Sequence, residues 1–274
     1  MDARPETPPL FWAPPGLPEV QAFHAQFQGH RFGRHTHDCY VIAAMETGGE
    51  IFDFRDERYT APPGSLVLME PREPHTGQGA AGPSWSYRAL YVGRSWFDGQ
   101  EPAFARPVAE DPGLFRRLCA FHTALERAPE PEWARDQLRG LLAALTERFA
   151  LPGGAGGHRD PSRPGLERVR RHLDLNFRQP ARLQDLADLA GVGRFHLVRL
   201  FKRMTGLTPF EYLADLRVRE AMSLLCRGES STRVALDLGF ADQAHFCRQF
   251  KRLVGVPPGR YAPPGQYRSS VDPG

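Results

Sequence analysis

The stretch FKRMTGLTP at residues 201–209 returns 49 residues later as FKRLVGVPP at 250–258, with Phe, Lys, Arg, Gly and Pro coinciding. The match runs backwards through Leu197 and Phe246, four residues before the two phenylalanines, and through Arg199 and Arg248, two before. Further back, LADLAGV (186–192) corresponds to VALDLGF (234–240), pairing Ala187 with Ala235 and Gly191 with Gly239, with one extra residue in the second turn. Each copy reads as a short helix, a glycine-containing turn and a second helix ended by glycine and then proline, which is helix-turn-helix grammar. The alanine lets the two helices approach, and the turn glycine takes a backbone angle that other residues resist. Leu197 with Phe201, and Phe246 with Phe250, supply i, i+4 core contacts. Between the copies, PFEYLADLRVREAMSLLCRG (209–228) has no internal breaker. Its apolar side includes Phe210, Leu213, Leu216, Leu224 and Leu225, and this predicts one rigid connecting helix. A plain duplicated bundle is the competing reading, but it has no need of basic residues on the exposed side of both second helices.

Charge divides the chain in the same place. Residues 1–162 carry 16 Lys+Arg against 21 Asp+Glu, a net −5, whereas residues 163–274 carry 19 against 11, a net +8. A basic C-terminal part beside an acidic body points towards a polyanion, most simply nucleic acid. At 274 residues the length suits two domains, each able to bury its own core. The boundary falls at LPGGAGGHRDPSRPG (151–165), where Gly and Pro displace every periodic apolar pattern. No apolar run approaches the roughly 20 residues that span a bilayer. The start, MDARPETPPLFWAPPGLP, is acidic and proline-rich, without a basic segment followed by an apolar one. No membrane partner and a cytoplasmic address are therefore expected. Cys39, Cys119, Cys226 and Cys247 are scattered and form no CxxC pair, so reduced thiols are expected rather than a disulfide framework or a cysteine metal site.

Upstream of the boundary, residues 111–128 and 133–149 read as two helices, with Leu138, Leu141, Leu142, Leu145 and Phe149 at helical spacing. Before them stand short β-like runs: YVIAAM (40–45), EIFDF (50–54), SLVLM (65–69) and SYRALYV (86–92), separated by turn signals such as TGG and PPG. Several short strands at such spacing predict a sandwich or barrel. Alternation around residue 88 puts Trp85, Tyr87, Ala89 and Tyr91 on one face.

The segment VALDLGFADQAHFCRQFKRLVGVPPGRY (234–261) closely resembles the AraC/XylS family of bacterial transcription regulators, with its GF turn, F-x-R-x-F-K helix and G-x-x-P ending. The first unit, 183–213, is similar, and the resemblance covers roughly residues 166–262. Two positions depart from the pattern. Ser231 stands where an aliphatic residue is usual, and Gly193 replaces the usual hydroxyl N-cap, a mild loss. The resemblance implies that the second helix of each unit enters the major groove, the two grooves lying about one turn, ~34 Å, apart on one face of the duplex. Carried over by motif, the first unit's contact residues are Arg194, Phe195, Val198 and Arg199, and the second unit's are Gln243, Ala244, Cys247 and Arg248. Arginine offers guanine a fork, glutamine pairs with adenine, and Phe195 or Val198 suits only a thymine methyl. Arg203, Lys251 and Arg252 fit phosphates. Asp242 reads as an N-cap.

The strands, with GHRFGRHTHDCY (29–40) and PPGSLVLMEPREPH (62–75), resemble the cupin-type barrel that many members place before the DNA-binding part. His35, His37 and His75 match the histidines of a metal cupin, but the carboxylate that should follow His37 is missing, Glu46 lying nine residues on. Three readings of the histidines stand together: hydrogen bonding to a polar ligand, structural histidines satisfied by backbone, and a metal site. The expected ligand-binding set is His35, His37, His75, Trp85 and Tyr87, with no metal and no cofactor. If their face points inward, the rings line an apolar pocket; ordinary core aromatics are the bland alternative. The segment 8–16 is either an arm that folds over ligand or a tail.

The organisation expected is an arm at 1–20, a cupin-like sensor and dimerisation domain at 21–150, a linker at 151–165 and a helical DNA-binding domain with two helix-turn-helix units at 166–265. The function expected is that of a ligand-responsive, sequence-specific transcription regulator, an activator by family leaning and not an enzyme. Its partners would be double-stranded DNA, a small-molecule effector, a second copy of the chain and RNA polymerase; the stripe Leu138, Leu142, Leu145 and Phe149 would be the contact between copies, or half of it would simply cover the barrel. A metal-dependent cupin enzyme with a DNA-binding appendage is the alternative, and a constitutive DNA-binding protein a third class.

Overall fold

YVIAAM is apolar at every position, which a strand with one solvated face does not need. The reason lies in the computed structural model, which describes residues 10–55, 57–80, 82, 84–152 and 164–261. Among the described residues ten strands form two sheets: β1 (Leu10–Trp12), β2 (Val20–Gln28), β3 (Arg31–His35), β4 (Tyr40–Thr47), β5 (Glu50–Phe54), β6 (Glu57–Ala61), β7 (Leu66–Met69), β8 (His75–Gly79), β9 (Ser84–Val92) and β10 (Val108–Ala109). The larger sheet runs β1-β2-β9-β4-β7-β10 and the smaller β3-β8-β5-β6, every pairing being antiparallel. Phe23, Val41, Ala43, Val67 and Tyr87 of the larger sheet meet Phe32, Phe52 and Phe54 of the smaller in one apolar interior. The opposite face of the larger sheet, through Ala22, Ile42, Leu66, Leu68 and Leu90, lies under α1 (Pro112–Leu125) and α2 (Pro131–Phe149). With both faces of β4 covered, no polar alternation is required.

This packing corrects one expectation. Leu138, Leu142 and Leu145 are buried against the sheet, and Phe149 packs at its margin. The stripe therefore covers the chain's own sheet and is not available as a dimer contact. A charged cluster fastens α1 from below. Arg88 donates to Glu46 (2.7 Å) and Glu126 (2.5 Å), and His24 Nε2 pairs with Glu46 at 3.0 Å. Fully buried His122 donates from Nε2 to the Phe23 carbonyl (3.1 Å), leaving Nδ1 to accept from Arg88 (3.2 Å).

Six α-helices follow among the described residues: α3 (Pro164–Asn176), α4 (Leu183–Ala190), α5 (Arg194–Thr205), α6 (Pro209–Cys226), α7 (Ser231–Asp237) and α8 (Gln243–Val254). The connecting helix is α6, and it begins with a capping box in which Thr208 and Glu211 satisfy each other's backbone groups before Pro209. Phe210 departs from the expected apolar side, since it is exposed while Leu213 and Leu225 are buried. The turn glycines Gly191 and Gly239 have φ of +70° and +72°. The Asp242 side chain caps α8 by accepting from the His245 N–H at 2.6 Å, as expected. Ser230 caps α7, its hydroxyl accepting from the Arg233 N–H at 3.3 Å.

The expectation that each half buries its own core is corrected as well. The first helix-turn-helix unit, α4 and α5 with α3, owns a separate cluster built on Leu186, Leu197 and Phe201. The second unit has none of its own: Val234, Leu238, Phe246, Phe250 and Leu253 are continuous with the strand interior of Phe11, Phe23, Phe27 and Phe32. Residues 10–12 form β1 on the edge of the larger sheet, and Phe11 stacks on Tyr261 at the far end of the second unit, ring centroids 4.6 Å apart. Residues 1–9 of the expected arm, and residues 153–163 of the expected linker, lie outside the described residues.

Candidate DNA interface and sensor cavity

On α5 the core residues Leu197, Leu200 and Phe201 turn one side inward, which leaves Arg194, Phe195 and Arg199 facing solvent and Val198 half-buried. Phe195 is 91% exposed, an unusual position for a phenylalanine that core packing does not explain. On α8, Phe246, Phe250 and Leu253 point inward, Gln243, Ala244, Arg248 and Lys251 are exposed, and Cys247 is half-buried against the shared core. Arg203 and Arg252 are exposed too, but Arg252 lies across β3. A Cβ at Gly33 would come within 2.8 Å of its Nη1, and Gln249 Oε1 accepts from its Nε and Nη2 at 3.2 and 2.8 Å. A phosphate contact by Arg252 therefore requires this packing to change, whereas Gln243, Ala244 and Arg248 in the first two turns of α8 are exposed.

The second site lies between the two halves. A recess opens in the strand interior, roofed by α6 and the end of α8. Phe11, Phe23, Val41 and Met69 supply apolar wall, with Tyr87 and Tyr91, and Val218, Met222, Leu253 and Val254 form the roof. An apolar wall with a few convergent polar side chains is the character of small-molecule sites. The inward face expected around residue 88 is present, with one difference: Trp85 does not line the recess but stacks behind Tyr87, centroids 5.4 Å apart, and Tyr91 takes a place on the wall.

His35, His37 and His75 come together here, as the sequence motif anticipated. Facing strands β3 and β8 pair His35 with His75 directly, and His37 follows two residues later. Burial holds all three below the usual imidazole range, His75 to about 4, and neighbouring positive charge adds to the effect, so the rings are neutral at pH 7. Glu50 projects into the same recess from β5, and burial alone pushes its carboxyl up to about 8. At neutral pH it is an acid able to donate a hydrogen bond to a ligand.

The residues that sequence reasoning missed come from α6. Asp215, buried, accepts from the Thr36 N–H (3.0 Å) and hydroxyl (2.5 Å), and Arg219 Nε donates to the same carboxylate at 3.2 Å. Arg219 also pairs with Asp38. Thr36 stands between His35 and His37, so the histidine segment is tied directly to the connecting helix. Two charges four residues apart, Asp215 and Arg219, inside the helix stripe completed by Val218 and Met222, were the available signal of a second buried side.

Two sheets enclosing a largely apolar recess, joined to two basic helix-turn-helix units, define a ligand-binding and DNA-binding protein. Residues 17–143 match the model of the AraC-like ligand binding domain, and residues 186–263 match that of a helix-turn-helix domain. An uncharacterised HTH-type transcriptional regulator, YbfI of Bacillus subtilis, is 27% identical over 218 residues, covering 76% of this chain and 79% of the relative. The HTH-type transcriptional activator RhaS of Yersinia pestis is 26% identical over 230 residues, covering 77% and 81%. Crystal structures of ToxT from Vibrio cholerae share the fold at 13–14% identity and a TM-score of 0.57. One of them, described as bound to unsaturated fatty acid, covers 88% of this chain and 94% of ToxT. The chain belongs to the AraC/XylS family of transcription regulators.

Proposed function

We propose that this protein is a transcription activator that reads an asymmetric DNA site with α5 and α8 and adjusts that reading when a small molecule occupies the recess. One observation carries the proposal: the helix that joins the two DNA-reading units is also the roof of the recess, fastened to its histidine segment through Asp215 and Thr36. A ligand that prefers one placement of α6 over another shifts the population of DNA-competent chains by its difference in affinity. On this reading residues 10–150 are the sensor and 166–261 the DNA reader.

Base contacts are assigned to Arg194, Phe195, Val198 and Arg199 of α5 and to Gln243, Ala244, Cys247 and Arg248 of α8, with Arg203, Lys251 and Arg252 on phosphates. Ligand contacts are assigned to His35, His37, His75 and Tyr87, with Trp85 as backing. The protein acts without catalysis in the cytoplasm, as a homodimer on adjacent sites, and recruits RNA polymerase. Genome-wide mapping of bound DNA, followed by gel-shift titration of the full chain on the recovered promoter fragments at two salt concentrations, tests this. Sequence-preferring binding that weakens as salt rises is expected. Equal affinity for promoter and unrelated DNA removes the proposal.

A further inference from the structure

We propose that the recess takes an organic cation: an amine whose ammonium group sits against the Glu50 carboxylate and whose apolar body lies along the aromatic wall. This deepens the sensor reading above and rests on it for the regulatory consequence only. Side chains alternate along β5, and Glu50 shares its side with Phe52 and Phe54, both buried in the strand interior. An acid therefore stands where the other two inward residues of the strand are phenylalanines. Among the described residues its carboxyl makes no hydrogen bond and no ion pair, and burial is the one influence on it. Enclosing a polar group without a partner costs free energy, so a carboxyl kept in this state is set to meet a group that arrives from outside. Its place is also made for it: any side chain at Gly77, on neighbouring β8, would run into Glu50 Oε1.

The charge balance of the lining decides the sign of the ligand. Beside the histidines, the charged side chains that line the recess among the described residues are Glu50, Asp215 and Arg219. Arg219 is already engaged, its Nε by Asp215 and a second nitrogen by Asp38. An anion entering the recess thus finds no guanidinium to itself, whereas the Glu50 carboxylate has no cation. The three imidazoles are neutral and bring no positive charge. Arg34 donates to the Gly206 carbonyl and Arg252 to Gln249, and neither belongs to the lining. The wall suits the same ligand. Tyr91, Phe11, Phe23 and Tyr87 follow one another with neighbouring ring centroids 5.6 Å apart. Burial above all raises the phenols of Tyr87 and Tyr91, and the Glu50 charge adds to it, so both rings stand within the field of the carboxylate. Aromatic faces attract ammonium groups, most strongly where water is excluded. A bound ammonium sends the Glu50 proton to solvent, which for a carboxyl at about 8 costs about tenfold in affinity at pH 7.

The test is calorimetric titration of the full chain with benzylamine, 2-phenylethylamine, tryptamine and benzyltrimethylammonium, beside the matched alcohols and carboxylates. One equivalent is expected to bind, with at least one cation about tenfold or more tighter than its matched alcohol and carboxylate. Glu50→Gln keeps the volume and removes the charge, and it should erase that preference. Asp53→Asn, on the outer side of the same strand where Asp53 pairs with Arg58, should leave it intact. Circular dichroism checks folding, and the wild-type comparison decides alone if Glu50→Gln does not fold. If the alcohols or carboxylates bind as tightly as the cations, or no cation binds, the recess is not a cation site. A preference for cations that persists in folded Glu50→Gln places the ammonium elsewhere and ends the assignment. Promoter binding is measured on the same samples. Promoter recognition without a preference for cations overturns the cation site and leaves the regulator; a preference without promoter recognition supports the site and removes the regulator.

Discussion

Arg88 is the residue on which α1 depends. Burial alone would push the Glu46 carboxyl up, yet bonds from His24 and Arg88 outweigh it and hold the group at about 2. Glu126, with His122 beside it and Arg88 donating to it against its own burial, is also held at about 2. A carboxylate depressed in the folded state contributes stability above its unfolded value of 4.5, lost as pH falls towards 2. Arg88→Ala should cost about 2 kcal/mol at pH 7, less than for a fully buried pair because the glutamates are partly exposed, and should flatten the acid limb between pH 4.5 and 2. Urea titrations at several pH values measure both. On the DNA side, Arg199→Ala or Arg248→Ala should weaken operator binding by roughly 1 to 3 kcal/mol with unchanged folding. Unchanged affinity in a gel shift would sink that assignment. The histidines were legible because an HTH pair announces itself in sequence. Glu50, Asp215 and Arg219 were not, since an acid on a strand and two charges on a helix look like solvent-facing residues until the elements above them are known.

Among the elements, α8 ends at Gly255, whose φ is +87°. A Cβ there would approach Phe32 Cε1 to 2.7 Å and Phe27 Cε1 to 3.0 Å. The glycine therefore does two things at once: it takes the left-handed backbone angle that stops the helix, and it lets that end sit flush on the strand interior. Gly255→Ala should lower stability by about 1 to 3 kcal/mol, from strain and overlap together. The same change at Gly191, where nothing lies within 4 Å of a Cβ, should cost less, about 1 kcal/mol. Thermal denaturation of the two variants side by side checks the difference. Helix-turn-helix boundaries were readable from glycine, proline and the i, i+4 phenylalanines. The partner surface of α2 was misread because a leucine stripe says that something covers it, and not whether that is a sheet or a second chain.

At the scale of the whole molecule, the split of apolar clusters governs how the protein comes apart. The first reading unit closes its core with α3, while Phe246, Phe250 and Leu253 of the second complete theirs with strand residues. A fragment of residues 164–274 should keep the α3–α5 part folded and lose protection in α7 and α8. Hydrogen exchange followed by mass spectrometry checks this: in the fragment, amides of α8 should exchange much faster than those of α5, whereas in the full chain the two should be similar. Fast exchange throughout, or slow exchange throughout, would contradict the division. Neither the repeat nor the charge asymmetry could have revealed it, because both treat the copies as equals.

Shuffling sensors among such regulators is a natural engineering wish, and the stacking of Phe11 on Tyr261 together with the seat of Gly255 against Phe27 and Phe32 sets its terms. A chimera grafted at the Gly/Pro boundary would carry a foreign surface to an unfinished second reader. Productive exchange of specificity here would need the graft to include the aromatic seat as well as the ligand chamber, or else the hybrid would recognise half its operator.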